Sequence, residues 1–399
     1  MLESVFPNKA LTKEQEQIFN KILFFNKQGL DASNKNIFQL NGDAGTGKSV
    51  ILTKLFLKLE QAAKSNHTDN YFLVNHPELL KVYQENAGQF SELRKNRFLR
   101  PTSFINRMHK QHRNADTVVI DEAHLLLSES DNYNNFIQNN QLEEIVKLSK
   151  VVILVFDERQ VLKLKSYWSQ KLLDTIVRKS DANYQRATLH TQMRMQAPTQ
   201  VLKWDDDLTD QLKLDNLSRA TTNFLSFQSD YDFRIYSDAE KMYQDLKSKN
   251  DQIGESRIVA TADYPSTLDG QKHYVTEGKF HLPWDQYNYS QTTWAQKPET
   301  INEIGSIYTV QGFDLNYVAV IIGPSISYNG SGKIKIDISK YEDREAFKNR
   351  HEKDILNLNE SKQKIILNSI NVLLKRGIKG CFVYFHDERI FNYLNKTIQ

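Results

Sequence analysis

The segment Gly42-Asp43-Ala44-Gly45-Thr46-Gly47-Lys48-Ser49 constrains this chain more than any other. It reads G-x-x-x-x-G-K-S, the pattern of a loop whose backbone N–H groups wrap the phosphates of a nucleotide. Its glycines let the backbone approach the phosphates closely and take up φ > 0, which side chains oppose. Lys48 brings a point charge for the β- and γ-phosphates, and the Ser49 hydroxyl is placed to ligate Mg²⁺. The flanks agree with this reading. Asn36-Ile37-Phe38-Gln39-Leu40 reads as a strand entering the loop, and residues 50–59 read as a helix leaving it. A strand, a phosphate loop and a helix in that order form the opening unit of an α/β domain, and ATP with Mg²⁺ is the expected ligand.

At 399 residues the chain is long enough for two domains, each with a full core. With 39% hydrophobic and 25% charged residues it has the composition of a globular protein rather than a disordered one. The net charge of +3 permits a nucleic-acid partner without demanding one. The single cysteine, Cys381, lies in the apolar run Cys381-Phe382-Val383-Tyr384-Phe385 and reads as a buried strand residue. A disulfide framework is therefore excluded, which suits the cytosol. Met1-Leu2-Glu3-Ser4-Val5 lacks the charged head and apolar core of a signal peptide. The longest apolar runs, such as residues 151–156, are too short to cross a bilayer. A cytoplasmic, membrane-free protein is expected.

Short apolar strand candidates at 37–40, 71–74, 117–120 and 151–156 alternate with helical or polar stretches, the pattern of a parallel sheet covered on both faces. A second series follows at 233–236, 257–260, 317–322 and 380–385, with a helical stretch at 239–249. The expected organisation is two α/β domains, 1–188 and 189–399, joined near 186–194. Two stretches read as irregular. One is an insertion at about 264–300, rich in aromatic and polar residues. The other, 329–360, is charged and opens on Gly330-Ser331-Gly332.

Val118-Val119-Ile120-Asp121-Glu122-Ala123-His124 is an apolar strand ending in two acids. Downstream of a phosphate loop, Asp121 is placed to hold the Mg²⁺ that Ser49 also contacts, and Glu122 to orient and deprotonate an attacking water. Surface carboxylates after a buried strand would read the same way in isolation. A further apolar strand ends in Phe156-Asp157-Glu158-Arg159-Gln160, where Gln160 either senses the γ-phosphate or belongs to a plain surface loop. The second half offers Arg194, in Thr191-Gln192-Met193-Arg194, and Arg376, in Leu373-Leu374-Lys375-Arg376. An arginine brought to the γ-phosphate from another domain makes hydrolysis depend on domain closure, although most arginines are surface residues. Thr309, Gln311 and Gly312, beside a turn before the strand at 317–322, could touch phosphates of ATP or of a nucleic acid.

Taken in order, GDAGTGKS, VVIDEAH, FDERQ, TQMRM, YTVQGFD and LLKRG resemble the motor core of a superfamily 1 helicase. The chain is similar to the Schlafen group 3-like DNA/RNA helicase domain family, through Ile301-Asn302-Glu303-Ile304-Gly305-Ser306 and the residues onward to Tyr317, and through Arg257-Ile258-Val259-Ala260-Thr261. The resemblance implies two RecA-like P-loop domains with parallel sheets and ATP in the cleft between them. It assigns Lys48, Ser49, Asp121, Glu122, Gln160, Arg194, Gln311 and Arg376 the roles above, and gives Gln15 that of reading the adenine. Three features depart from the pattern. Lys375 stands where a Thr is expected, Phe72-Leu73-Val74-Asn75-His76-Pro77 carries no Lys or Arg, and the interval from the loop to Asp121 has no room for a duplex-splitting accessory domain.

Single-strand binding needs a basic track and aromatic faces. Arg94, Lys95, Arg97, Arg100, Arg107, Lys110 and Arg113 are candidates for the track, with Thr102 and Phe104 beside it. Trp284, Tyr287, Tyr289 and Trp294 are candidates for stacking. A solvated basic face and a satellite core would look the same. The leading expectation is a monomeric ATP-dependent motor on single-stranded DNA or RNA. The weak basic balance also suits a non-translocating switch that recruits a protein partner, as in defence against phage.

Overall fold

The structure is a computed structural model describing residues 10–43, 45–132, 135–193, 195–214, 217, 231–265, 269–286, 292–310, 313–348 and 357–397. The chain divides into two compact units, Met1–Val161 with Lys165–Met193, and Leu162–Leu164 with Arg194–Gln399.

In the first unit, α1 (Lys13–Asp31) starts at Thr12. Thr12 Oγ1 accepts the Gln15 backbone N–H, while Gln15 Oε1 accepts that of Thr12, a reciprocal cap that satisfies two otherwise orphaned donors. There follow β1 (Asn36–Gly42), α2 (Lys48–Asn66), β2 (Asn70–Val74), α3 (Pro77–Ala87), β3 (Phe98–Leu99), α4 (Pro101–Gln111), β4 (Ala115–Asp121), α5 (Gln141–Lys147), β5 (Ser149–Val155), α6 (Gln170–Lys179) and β6 (Asn183–Leu189). The sheet order is β3-β2-β4-β5-β1-β6, with every pair parallel. Successive strand residues point to opposite faces, so Ile37, Val118, Ile120, Val152 and Leu154 fill one core while Phe38, Leu40, Val119, Ile153 and Val155 fill the other. This double cover explains why the strands read as unbroken apolar runs.

The second unit contains α7 (Thr199–Gln211), β7 (Asp232–Tyr236), α8 (Ala239–Ile253), β8 (Ser256–Ala260), β9 (His273–Glu277), β10 (Phe280–Trp284), β11 (Ile304–Gly305), α9 (Ile307–Val310), β12 (Leu315–Ile322), β13 (Ile326–Gly330), β14 (Lys333–Ile336), α10 (Leu358–Leu374), β15 (Gly377–Phe385) and α11 (Glu388–Thr397). Its sheet runs β7-β15-β12-β8-β11-β10-β9. Cys381 is buried in β15, as its apolar neighbours imply.

One expectation needs correction. The stretch at about 264–300 is not merely irregular. It holds the β9–β10 hairpin, turned at Gly278 with φ 62°, which joins the sheet edge and makes β9 antiparallel. Near 186–194 the first residues complete β6, paired with β1 along its whole length, and the division between the units falls between Met193 and Arg194.

Candidate nucleotide-binding site

β1 delivers the chain to the phosphate loop at its C-terminal end. Two loop glycines are left-handed, Gly45 at φ 87° and Gly47 at φ 83°. A Cβ at Gly42 would stand 2.6 Å from Thr46 Oγ1, and one at Gly47 only 2.3 Å from Gln15 Nε2. Glycine at these places is what lets the loop fold tightly enough to cradle phosphates. Thr46 Oγ1 donates to Asp43 O at 2.9 Å and closes the turn. Gly47 caps α2 without a side-chain hydrogen bond, so the positive end of a 19-residue helix faces the loop. Lys48 Nζ donates to Gly42 O at 2.5 Å and to Asp43 O at 2.8 Å. Ala44 lies outside the described residues.

β4 and β5 bring carboxylates to the same side, since β5 lies between β4 and β1 in a parallel sheet. Asp121 ends β4, fully buried, with Oδ1 3.4 Å from the Ser49 hydroxyl that donates to it. Burial first, and then the neighbouring Glu122, push its carboxyl up to about 6, against the pull of Tyr83, Ser49 and Lys48. A bound divalent cation reverses that balance, because it is the largest local charge. Glu122 follows in the left-handed region at φ 54°. His124, in the next turn, is buried, and burial followed by the Lys48 charge pushes its imidazole down to about 4, so it is neutral at physiological pH. Its Nε2 comes within 3.1 Å of Glu122 Oε2 but without hydrogen-bond geometry.

Asp157, just past β5, carries no role in the sequence reading beyond its place in Phe156-Asp157-Glu158-Arg159-Gln160. Its Oδ2 lies 3.6 Å from Lys48 Nζ and accepts Gln160 Nε2 at 2.7 Å. Burial alone would raise this carboxyl, yet the Lys48 charge and the Gln160 hydrogen bond hold it below the usual range. Gln160 is thus tied to the lysine's counter-ion. Tyr83, on α3, is a second residue that the motifs did not reveal, and its hydroxyl donates to Asp121 Oδ2 at 2.6 Å. Gln15 is buried beside the loop, with Nε2 donating to Thr46 O at 3.2 Å. A cleft of about 300 Å³ opens at the ends of β1, β5 and β6, lined by Asn41, Gly42, Asp43, Asp157, Glu158 and His190 among others.

The structure therefore brings Gln15, Gly42, Asp43, Gly45, Thr46, Gly47, Lys48, Ser49, Asp121, Glu122 and Gln160 to one side of the first unit. Arg376 belongs to the second unit, where its guanidinium donates to Val372 O and Phe313 O. Beside it, Lys375 Nζ lies 3.0 Å from Asp206 Oδ1 and 3.4 Å from Asp205 Oδ2, fastening the end of α10 to α7. Arg194, Gln311 and Gly312 lie outside the described residues, as do Tyr287 and Tyr289.

Among the candidates for a strand-binding face, Arg94, Lys95, Lys110 and Arg113 are exposed. Arg97 is ion-paired with Asp69 and lies over the Tyr71 ring. Thr102 accepts a 2.9 Å hydrogen bond from Gln141, and Arg107 donates to Asn96 O at 3.1 Å. Phe104, Trp284 and Trp294 are buried, so for these three the core alternative holds. Among the described residues no helix is long and apolar enough to cross a membrane.

The glycine-shaped loop, the uncapped helix start, Lys48, Ser49 and the acids at the ends of β4 and β5 make a donor set that fits a nucleoside triphosphate with its divalent cation. That defines the class of site. The chain belongs to the Schlafen group 3, DNA/RNA helicase domain family, whose profile matches residues 35–387. It is similar to the uncharacterized protein YPL245W of Saccharomyces cerevisiae (strain ATCC 204508 / S288c), at 39% identity over 413 aligned positions covering 96% of this chain and 90% of that protein. Among solved structures it is similar to domain III of the Thermotoga maritima replication initiation protein DnaA, at 16% identity and a TM-score of 0.28 over 55% of this chain and 85% of that one. A DNA replication initiation factor is similar at 11% identity and a TM-score of 0.27, over 63% of this chain and 65% of that one. At these scores the structural likeness is slight.

Proposed function

We propose that the chain is a nucleic-acid-dependent ATPase of superfamily 1 type, with two RecA-like domains that close on ATP and move along a single strand. The observation that carries this reading is the convergence of Lys48, Ser49, Asp121, Glu122 and Asp157 beside the phosphate loop, in a chain of a DNA/RNA helicase domain family.

The loop N–H groups and Lys48 hold the β- and γ-phosphates, and Lys48 is released from Gly42 O and Asp43 O to do so. Ser49 and Asp121 would hold Mg²⁺, which when bound neutralises charge on the phosphates. Glu122 is the partly exposed member of the acid pair, and it accepts the proton of the attacking water. Asp157 balances Lys48 and orients Gln160 toward the terminal phosphate. Gln15 serves the adenine end, while Gln311 and Gly312 contact phosphates. Arg194 and Arg376 supply positive charge from the second domain, which makes hydrolysis depend on closure.

The test is an ATPase assay with single- and double-stranded DNA and RNA in turn. Single strands are expected to raise turnover severalfold. Slow hydrolysis indifferent to every polymer, with a protein retained on the ATP-bound form, would replace the motor with a recruiting switch.

A further inference from the structure

Asp121 has two carboxylate oxygens, and they have different company. Oδ1 receives the Ser49 hydroxyl at 3.4 Å and the Glu122 backbone N–H at 3.1 Å. Oδ2 accepts the Tyr83 hydroxyl at 2.6 Å, a short bond of the kind made to an ionised acceptor. Tyr83 comes from α3, the helix after β2, and no motif includes it. Its side chain is wholly buried. The ring is wedged 4.8 Å from that of Phe72 and 6.2 Å from that of Phe98, with only 13° between the planes of Tyr83 and Phe98. The phenol cannot swing away without disturbing this aromatic core.

We propose that Tyr83 is a positioning residue for the divalent cation: by occupying Asp121 Oδ2 it fixes the carboxylate so that Oδ1 stands beside the Ser49 hydroxyl. The proposal rests on reading Ser49 and Asp121 as the cation's ligands. Partners in the shell behind a metal ligand set its orientation, and their loss typically weakens metal binding by 10- to 100-fold. A phenol, which ordinarily titrates at about pH 10, is a donor at neutral pH.

Tyr83→Phe keeps the ring and removes only the hydroxyl. The measurement is binding of a fluorescent, non-hydrolysable ATP analogue to the full chain over a MgCl₂ titration. Analogue affinity without Mg²⁺ should be unchanged, while the half-saturating Mg²⁺ concentration rises about tenfold. In an Asp121→Asn background Tyr83→Phe should add far less than its single-variant shift, because the hydroxyl acts chiefly through that carboxylate, with the Ser49 side chain its other neighbour. An unchanged Mg²⁺ dependence, or an additive shift in the double variant, would overturn the proposal. Should Tyr83→Phe not fold, ¹⁹F NMR of fluorotyrosine-labelled wild-type protein decides the matter. The Tyr83 resonance should move when MgCl₂ joins the bound analogue, and a resonance that does not respond refutes the role. Failure of the unmodified chain to bind the analogue at all would sink the nucleotide reading itself, a different result from either.

Discussion

Glu122 occupies the left-handed region at φ 54°, which costs a residue bearing a Cβ about 1 kcal/mol. It also sits beside Asp121, whose carboxyl it helps to push up to about 6. Both burdens follow from placing a second acid at the strand end. Glu122→Gly should therefore abolish hydrolysis and yet raise the thermal midpoint by about 2–4 °C. Glu122→Gln should also abolish hydrolysis but keep the backbone cost, so its gain is the smaller of the two. A glycine variant no more stable than the glutamine one would show that the φ value carries no cost. At this scale the fixed spacings were readable: a G-x-x-x-x-G-K-S loop and an apolar strand ending in Asp-Glu each encode a local geometry. Asp157 and Tyr83 were not, because their contacts come from tertiary approach to Lys48 and Asp121. Phe104, Trp284 and Trp294 show the converse, since an aromatic residue has the same π face whether it is buried or exposed.

Among elements, the central strands were legible because both their faces are covered, which demands apolar residues throughout. β6 was not, because as an edge strand most of its residues stay partly or fully exposed, and Asn183-Tyr184-Gln185-Arg186 looks like a connection. The β9–β10 hairpin was hidden in the same way by its polar and aromatic composition. The ends of β8 and β12 share a constraint of their own. Asp263, just past β8, is buried and accepts the Thr261 hydroxyl and the Ser325 backbone N–H, the latter at 3.2 Å. Gly323 follows β12 because a Cβ there would stand 2.6 Å from Asp263 Oδ2. Burial raises the Asp263 carboxyl to about 6, against hydrogen bonds from Ser325 and Thr261 and the charge of His386. Between about pH 4 and 6 the folded chain keeps a proton that the unfolded chain has lost, so this group's contribution falls as pH rises, by at most about 3 kcal/mol. Asp263→Asn retains the neutral form and should flatten that part of the stability profile in denaturant titrations from pH 4 to 7. An identical slope in both proteins would mean that Asp263 titrates normally.

For the whole molecule, the decisive fact is that the described cores stay within their units. Two apolar clusters cover the faces of the first sheet, and a third packs β8, β12 and α8 in the second unit. The phosphate loop and its carboxylates lie in the first unit, and Arg376 in the second. Described clusters that each stay within one unit predict two cooperative transitions on heating, and a ligand stabilises the one whose folded form it binds. At a hundred times its dissociation constant, a non-hydrolysable ATP analogue with MgCl₂ contributes about 2.7 kcal/mol to that unit. For a domain of some 150–250 residues this corresponds to a rise of about 5–10 °C in its midpoint. Differential scanning calorimetry should then show two transitions, of which the one carrying residues 42–49 moves most. Trp168 is buried in the first unit, whereas Trp204, Trp284 and Trp294 are buried in the second. Fluorescence of a variant retaining only Trp168 should therefore follow the transition that shifts. A Trp168 signal that stays in place while the other transition climbs would put the nucleotide's main grip in the wrong unit, and a single transition moving as one would show that the two cores do not melt apart.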